Sequence, residues 1–353
     1  MKLLKTEDIK KVLFVRLRFI GDVIISTAII RDLKKRFPEM KLDYLAEKIP
    51  LKMLENNPDI NNMIEAEKGN LFTFKNILKI RKKRYDAVID VFGNPRSALL
   101  TFLSGAEYRI GWNIRGRAFC YNTFIERKDI IDPSLKSDSI DAYEDAVRMF
   151  GIEKSERETK LYLSESEKAF GEAFKKDHSL PESSNIIGIH PGCRRGESFT
   201  WPKEKYAELS DRLITSGNKV LLFGGPLDKV VNDEVVKAMK NKPVIVSTRS
   251  IREDLAVMSI CDCFVTNNHG PVHMSAALNI PTVGIYRYDE SYLWFPYKDP
   301  KFKVIDNNTG CEVCKSSDCA SPKCMTEITG ERVFNSVIEL LDRKDKKNNK
   351  GGI

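Results

Sequence analysis

Arg16-Leu17-Arg18-Phe19-Ile20-Gly21-Asp22-Val23 is the first stretch of this chain whose residue types and spacing suit chemistry. Asp22 follows two arginines at the junction of an expected strand (12–16) and an expected helix (22–37). Gly21 is placed to allow the tight turn, and Asp22 falls where a capping carboxylate belongs. Two readings stay open at this point. Asp22 is a helix cap with Arg16 and Arg18 as surface charges, or it is a general base that takes a proton from a hydroxyl.

A second stretch, His190-Pro191-Gly192-Cys193-Arg194-Arg195-Gly196 with Trp201-Pro202 beyond it, puts a glycine loop and two arginines after a strand. Backbone N–H groups and guanidinium forks in that arrangement suit a diphosphate. A Walker loop is excluded, because no Gly-Lys-Ser/Thr follows. A basic surface loop is the plain alternative. In Val265-Thr266-Asn267-Asn268-His269-Gly270-Pro271-Val272-His273, Gly270 is expected to bend the chain. Pro271 would open a helix where its missing N–H costs least. The amides of such a helix start attract an anion. His269 and His273 are two of the four histidines in the chain. They are four apart, with no third residue at a spacing that would complete a metal site. Here the plain reading makes Asn268 the helix cap and the histidines satisfied polar groups. Phe223-Gly224-Gly225-Pro226-Leu227-Asp228 ends another strand, and Asp228 could accept from ribose hydroxyls. Cys311, Cys314, Cys319 and Cys324 cluster as C-x2-C-x4-C-x4-C. The x4 gaps do not match the paired C-x2-C units of most zinc sites, so reduced thiols and a structural metal are both carried forward.

The elements that must position these residues alternate short β-branched runs with amphipathic helical segments, the pattern of parallel sheets covered by helices. Strands are expected over 12–16, 42–45, 85–91 and 108–112, and helices over 22–37, 71–84, 140–150 and 165–176. Residues 178–185 are polar and contain a proline, as a linker would. The pattern then restarts with strands over 186–190, 219–223, 244–247, 263–266 and 282–286. Helices are expected between them over 203–216, 227–239, 252–260 and 271–278, with a last helix over 331–341. In such doubly wound folds ligands sit beyond the carboxyl ends of the strands, and every stretch above, the cysteine cluster apart, falls at such an end.

Length and composition agree. At 353 residues the chain exceeds one ordinary core. Hydrophobic residues at 42% and charged residues at 31% exclude a disordered chain. No apolar run reaches membrane-spanning length, and residues 1–11 lack the apolar stretch of a secretory signal, so a cytoplasmic protein with reduced thiols is expected. The net charge is +8; residues 1–100 carry 21 Lys and Arg against 13 Asp and Glu, which is the whole excess. Such a basic region suits phosphorylated lipid head groups or anionic glycans. Nucleic acid is rejected for want of interleaved aromatics or a known module. A nicotinamide dehydrogenase is rejected for want of Gly-x-Gly-x-x-Gly after any strand.

Taken together, the four stretches, extended by Met274-Ser275-Ala276-Ala277-Leu278 and by Cys324-Met325-Thr326-Glu327-Ile328, resemble glycosyltransferase family 9, the ADP-heptose:lipopolysaccharide heptosyltransferases, over most of the chain. The resemblance implies an α/β fold of GT-B type, with two Rossmann-like doubly wound domains facing across a cleft. Residues 1–178 would form the acceptor-binding domain, residues 186–343 the nucleotide-sugar-binding domain, and residues 344–353 a flexible tail. It implies an inverting, metal-independent transferase without a cofactor, moving a heptose-like sugar to a lipopolysaccharide-core or related cell-surface glycan. Asp22 would be the catalytic base and Arg16 and Arg18 would meet the acceptor. Gly192, Cys193, Arg194, Arg195, Asp228, Asn268, His269, Gly270, Pro271 and His273 would hold the donor. The acceptor would be a glycolipid or glycan, giving peripheral contact with the inner face of the cytoplasmic membrane. Two positions depart from the family pattern. Asn268-His269-Gly270 stands where Asp-Ser-Gly or Asp-Thr-Gly is usual, and Phe199 stands where a lysine is frequent. They carry two alternatives: a transferase using a donor other than ADP-heptose, and a non-catalytic nucleotide-sugar-binding homologue.

Overall fold

A computed structural model describes residues 4–66, 70–126, 138–288, 290–311, 319 and 321–350. The chain folds as two compact units, Met1–Tyr162 and Leu163–Ile353. The first holds strands β1 (Lys11–Val15), β2 (Lys41–Ala46), β3 (Asn62–Glu65), β4 (Ala87–Asp90), β5 (Tyr108–Trp112) and β6 (Thr123–Ile125). They form one sheet in the order β3-β2-β1-β4-β5-β6, and every neighbouring pair is parallel. The second holds β7 (Ile186–His190), β8 (Lys219–Leu222), β9 (Val244–Ile245), β10 (Cys263–Asn267), β11 (Thr282–Ile285) and β12 (Phe302–Ile305). Its order is β12-β11-β10-β7-β8-β9, again parallel throughout.

Both orders reverse direction once, between β1 and β4 in the first unit and between β7 and β10 in the second. Loops on the two sides of such a reversal turn away from each other and leave a crevice outside the strand ends. The central strands are apolar because helices cover both faces. Val12, Leu13, Phe14 and Val15 are buried, as are all five residues of β7. The first core gathers Leu13, Val15, Leu45, Ile80 and Val88. The second gathers Ile187, Ile189, Trp201, Leu213 and Val265 together with Val333 and Val337 of the last helix. Trp201 is fully buried, and its indole N–H donates to the Ile328 carbonyl at 3.0 Å. No helix among the described residues is long and apolar enough to cross a membrane.

The edge strands β3, β6 and β12 go beyond the sequence expectation. β3 buries only Ile64, so no apolar run announced it. Helix Pro95–Leu103 was also not anticipated; it begins at a capping box in which the Asn94 side chain accepts from Ser97 N at 2.7 Å. The two compact units meet at 162/163. Helix Glu165–Asp177 packs on helix Ile251–Met258. Arg252 clamps Glu167 with two bonds of 2.6 Å. A Cβ at Gly171 would lie 2.5 Å from the Ala256 carbonyl oxygen, so the two backbones touch where the side chain is missing. The last helix, expected over 331–341, runs Gly330–Lys350. Lys344, assigned to a flexible tail, sits in it and pairs with Asp262; residues 351–353 lie outside the described residues.

Candidate active site

In the first unit the chain leaves β1 at Val15 and enters helix Ile20–Arg36. The turn does not use Gly21. It is Phe19 that carries φ +64°, a conformation unusual for a bulky residue, and Gly21 lies inside the helix. Asp22 is therefore the third helical residue rather than the cap. Its carboxylate meets Arg16 Nη2 at 2.5 Å and the Tyr143 hydroxyl, donating to Oδ1, at 3.1 Å. Burial lifts the Asp22 carboxyl above its ordinary value, against the opposing pull of Arg16 and of the Tyr143 bond. Burial and the adjacent carboxylate keep the Tyr143 phenol protonated, so it remains a donor. The Arg16 guanidinium also lies over the Phe92 ring at 4.7 Å. Arg18, half-exposed, donates from Nε to Glu47 Oε1 at 2.7 Å, and Arg96 Nη1 reaches the same oxygen at 3.5 Å. Glu47 and Arg96 follow β2 and β4, so both flank the reversal point. The sequence reading did not single them out.

In the second unit the loops after β7 and β10 are tied together by neutral groups. Asn267 is fully buried; its amide donates to the Pro191 carbonyl at 2.7 Å and accepts from Trp201 N at 3.0 Å. The His269 Nε2 bonds the Gly192 carbonyl, and its ring meets the His190 ring edge-on at 4.7 Å. His269 is the helix cap residue of Gly270–Ala277, yet its side chain makes no cap bond. The Asn268 cap and the Gly270 bend both give way to this arrangement: Asn268 turns its amide to Glu290 at 3.1 Å, and Gly270 and Pro271 are the first two helical residues. His273 points elsewhere and bonds the Tyr297 hydroxyl at 2.8 Å, so the two histidines do not share a partner. Burial depresses all three rings, His190 to about 4 and His269 and His273 to about 3. They are neutral at pH 7.

Gly192 is needed for close approach: a Cβ there would sit 2.2 Å from Asp228 Oδ1. Asp228 is buried, accepts from Gly225 N at 2.9 Å and lies 3.6 Å from His190 Nε2. These contacts pack it against the 190–192 turn, a packing that the sequence does not announce. The loop's turn falls on Gly196, at φ +104°. Arg194 is exposed, and burial raises the half-buried Cys193 thiol. Arg195 forks onto Glu290 at 2.7 and 2.9 Å.

Of the cysteine cluster, Cys324 belongs to the second hydrophobic core, Cys311 is exposed, and Cys319 is half-buried. Cys314 lies outside the described residues. Burial pushes the Cys263 thiol up to about 12, and no described cysteine is paired in a disulfide.

Two parallel Rossmann-like units in series, each with polar residues at its point of reversal, are the GT-B architecture of nucleotide-sugar transferases. The sequence profile described as "Glycosyltransferase family 9 (heptosyltransferase)" matches residues 74–325. The chain belongs to glycosyltransferase family 9 and is a glycosyltransferase. It is 26% identical to lipopolysaccharide heptosyltransferase 2 of Salmonella typhimurium, over 95% of this chain and 99% of that one. Among solved structures, a family 9 glycosyltransferase from Veillonella parvula superimposes with a TM-score of 0.85 at 21% identity, over 97% of this chain and all of the other. The Escherichia coli ADP-heptose lipopolysaccharide heptosyltransferase II gives 0.77 at 24%, over 95% and 99%.

Proposed function

We propose that this chain transfers a heptose-like sugar from ADP-heptose, or a closely related nucleotide sugar, to a hydroxyl of a lipopolysaccharide core or similar glycan, with inversion. Asp22 takes the proton of the acceptor hydroxyl, whose oxygen attacks the anomeric carbon while the nucleoside diphosphate leaves with the bonding electrons. The observation that carries the reading is the Asp22 carboxylate, placed after β1 at the point of sheet reversal and held by Arg16 and Tyr143. Burial makes it a stronger base than a surface aspartate, and its two partners fix its direction. Arg18 and Arg96, gathered on Glu47, supply positive charge for an anionic acceptor. In the second unit, the amides of helix Gly270–Ala277 and the 192–195 loop receive the developing negative charge of the leaving diphosphate, which is where barrier lowering is greatest. The relatives named above support the sugar and nucleotide.

Asp22→Asn keeps shape and removes the base. Transfer should fall by about 10³-fold while ADP affinity, measured by titration calorimetry, stays within about twofold of the parent. Near-normal turnover on the true substrate pair sinks the assignment.

A membrane-linked acceptor calls for peripheral contact. Leu99, Phe102 and Phe119 are exposed, the two phenyl rings meet edge-on at 5.9 Å, and Arg109 lies over Phe102 at 5.8 Å. Aromatics beside arginine suit an anionic lipid surface. Co-flotation with phosphatidylglycerol vesicles should be lost in Phe102→Glu/Phe119→Glu; unchanged flotation places the contact elsewhere.

A further inference from the structure

Residues 155–160, which the transfer chemistry above does not use, run as a strap along helix Ile20–Arg36, the helix that holds Asp22. Glu156 pairs with Lys35, Glu158 with Arg31 at 2.8 Å, and the Lys160 N–H donates to Thr27 Oγ1 at 3.1 Å. Those helical partners are four residues apart, so they lie on one face, and the strap advances along it towards Asp22. The intervening residues bond a different helix, Ser139–Arg148. The Ser155 N–H donates to Glu144 Oε1 at 2.9 Å. Arg157 Nη1 donates to Asp141 Oδ1 at 2.7 Å, and Nη2 pairs with Asp138. Asp138 and Asp141 are the two carboxylates of that helix's capping box. The helix packs on Ile20–Arg36 and carries Tyr143, the donor to Asp22 Oδ1.

We propose that this strap holds Tyr143 in register with Asp22, and that Arg157 is its positioning residue. The proposal rests on the reading that Asp22 is the base. Three physical points carry it. The strap bonds both helices from successive residues, so it fixes how far one can slide along the other. The Tyr143 bond is already 3.1 Å long, and a slide of about 0.5 Å ends it. Arg157 is suited to such a fastening, because a planar guanidinium reaching two carboxylates sets direction as well as distance. Its side chain and that of Asp138 are each 13% exposed, so solvent screens the pair weakly. Arg157, finally, has φ +60°. A non-glycine residue persists there only where its surroundings over-determine it, and such positions gather at functional sites. Glycine would take this φ without strain, so the side chain is what the position keeps.

A strap that acts through Tyr143 can be lost only once: removing it and removing the phenol should not have separate effects. The full chain is assayed with ADP-heptose and a lipopolysaccharide-core acceptor. Tyr143→Phe should lower kcat/KM by about tenfold. It should also move the acid limb of the pH profile upward, since the Tyr143 bond helps hold the Asp22 carboxyl down against burial. Arg157→Gly should reproduce both changes, while ADP affinity by titration calorimetry stays within about twofold of the parent. Relief of the strained φ offsets part of the lost ion pairing in that variant. Should it still fold poorly, Arg157→Lys keeps the charge without the fork and should move the acid limb the same way by less. The double variant Arg157→Gly/Tyr143→Phe should fall within about twofold of Tyr143→Phe, whereas independent effects would multiply to about 100-fold below the parent. Multiplied losses, or a parent-like rate and acid limb in the Arg157 variants, overturn the strap's role and leave the base reading standing. If Asp22→Asn and Tyr143→Phe both transfer sugar at the parent rate, the base reading falls and the strap's role with it.

Discussion

The two points of sheet reversal are built from opposite materials. In the first unit they are formal charges in pairs, Arg16 on Asp22 and Arg18 with Arg96 on Glu47. In the second they are largely neutral: His190, His269 and His273, depressed by burial, the Asn267 amide, and a glycine packed against the Asp228 carboxylate, with Arg195, Arg287 and Glu290 paired nearby. The difference matches what each unit is proposed to do. A base has to stay ionised in a site that burial makes hostile to charge, so it needs a permanent cation beside it. A site that receives a diphosphate is better served by neutral scaffolding that leaves its cations available to the ligand.

The largest expected effect comes from breaking the charged side. Arg16→Met leaves Asp22 buried without its charged partner, the Tyr143 bond remaining. The loss of a charge-assisted hydrogen bond, about 1.5–3 kcal/mol, should lower kcat/KM by about 10²-fold. It should also move the acid limb of the pH–rate profile upward, because Arg16 is what opposes burial in setting the Asp22 pKa. ADP affinity, a property assigned to the other unit, should not change. A kcat/KM within about threefold of the parent would show that Arg16 is not what keeps the base ionised.

The neutral side makes a prediction of opposite kind. His190, His269 and His273 have folded pKa values of about 3 to 4, below the ordinary 6.5. A depressed histidine contributes stability that is complete above pH 6.5 and is lost as pH falls towards the folded value, since the unfolded chain then binds more protons. The thermal midpoint of the second unit should therefore drop by several degrees between pH 7 and pH 4.5, with about 2–4 °C for each kcal/mol. His273→Gln should flatten that slope. A midpoint independent of pH over this range would mean that the rings are not buried neutral.

The contrast also explains what was legible in the sequence. Central strands read correctly because burial on both faces forces continuous β-branched runs, as in β7. Edge strand β3 could not be read, since it buries only Ile64. Motif residues close to their strands, Asp22, Gly192 and Asn268, drew notice by type and spacing. Their partners were not: Tyr143 lies 121 residues from Asp22, and Glu290 lies 95 from Arg195. No periodicity links such pairs, because the fold alone brings them together. Asp228 shows the limit in another way. Its type suggested a ribose contact, and nothing in the sequence told of its close approach to Gly192 and His190. A fully buried amide such as Asn267 gives no sequence signal apart from its place at a strand end.

The smallest expected effect concerns Phe19, where the first unit departs from the economy of the second. Positive φ in the second unit's loop is carried by Gly196, but here it falls on a phenylalanine that is 65% exposed. A non-glycine residue in that region costs about 1–3 kcal/mol, and exposure means that little burial offsets it. Phe19→Gly should therefore raise the thermal midpoint of the first unit by a few degrees, allowing for the greater chain entropy of glycine, about 0.5–1 kcal/mol. A strained aromatic kept three residues from the base is accounted for if its ring meets the acceptor. The same variant should then raise the acceptor KM severalfold and leave ADP affinity unchanged. A variant that is less stable than the parent would mean that the ring packs more than its exposure shows. Unchanged acceptor kinetics would leave the strain without a part in acceptor binding.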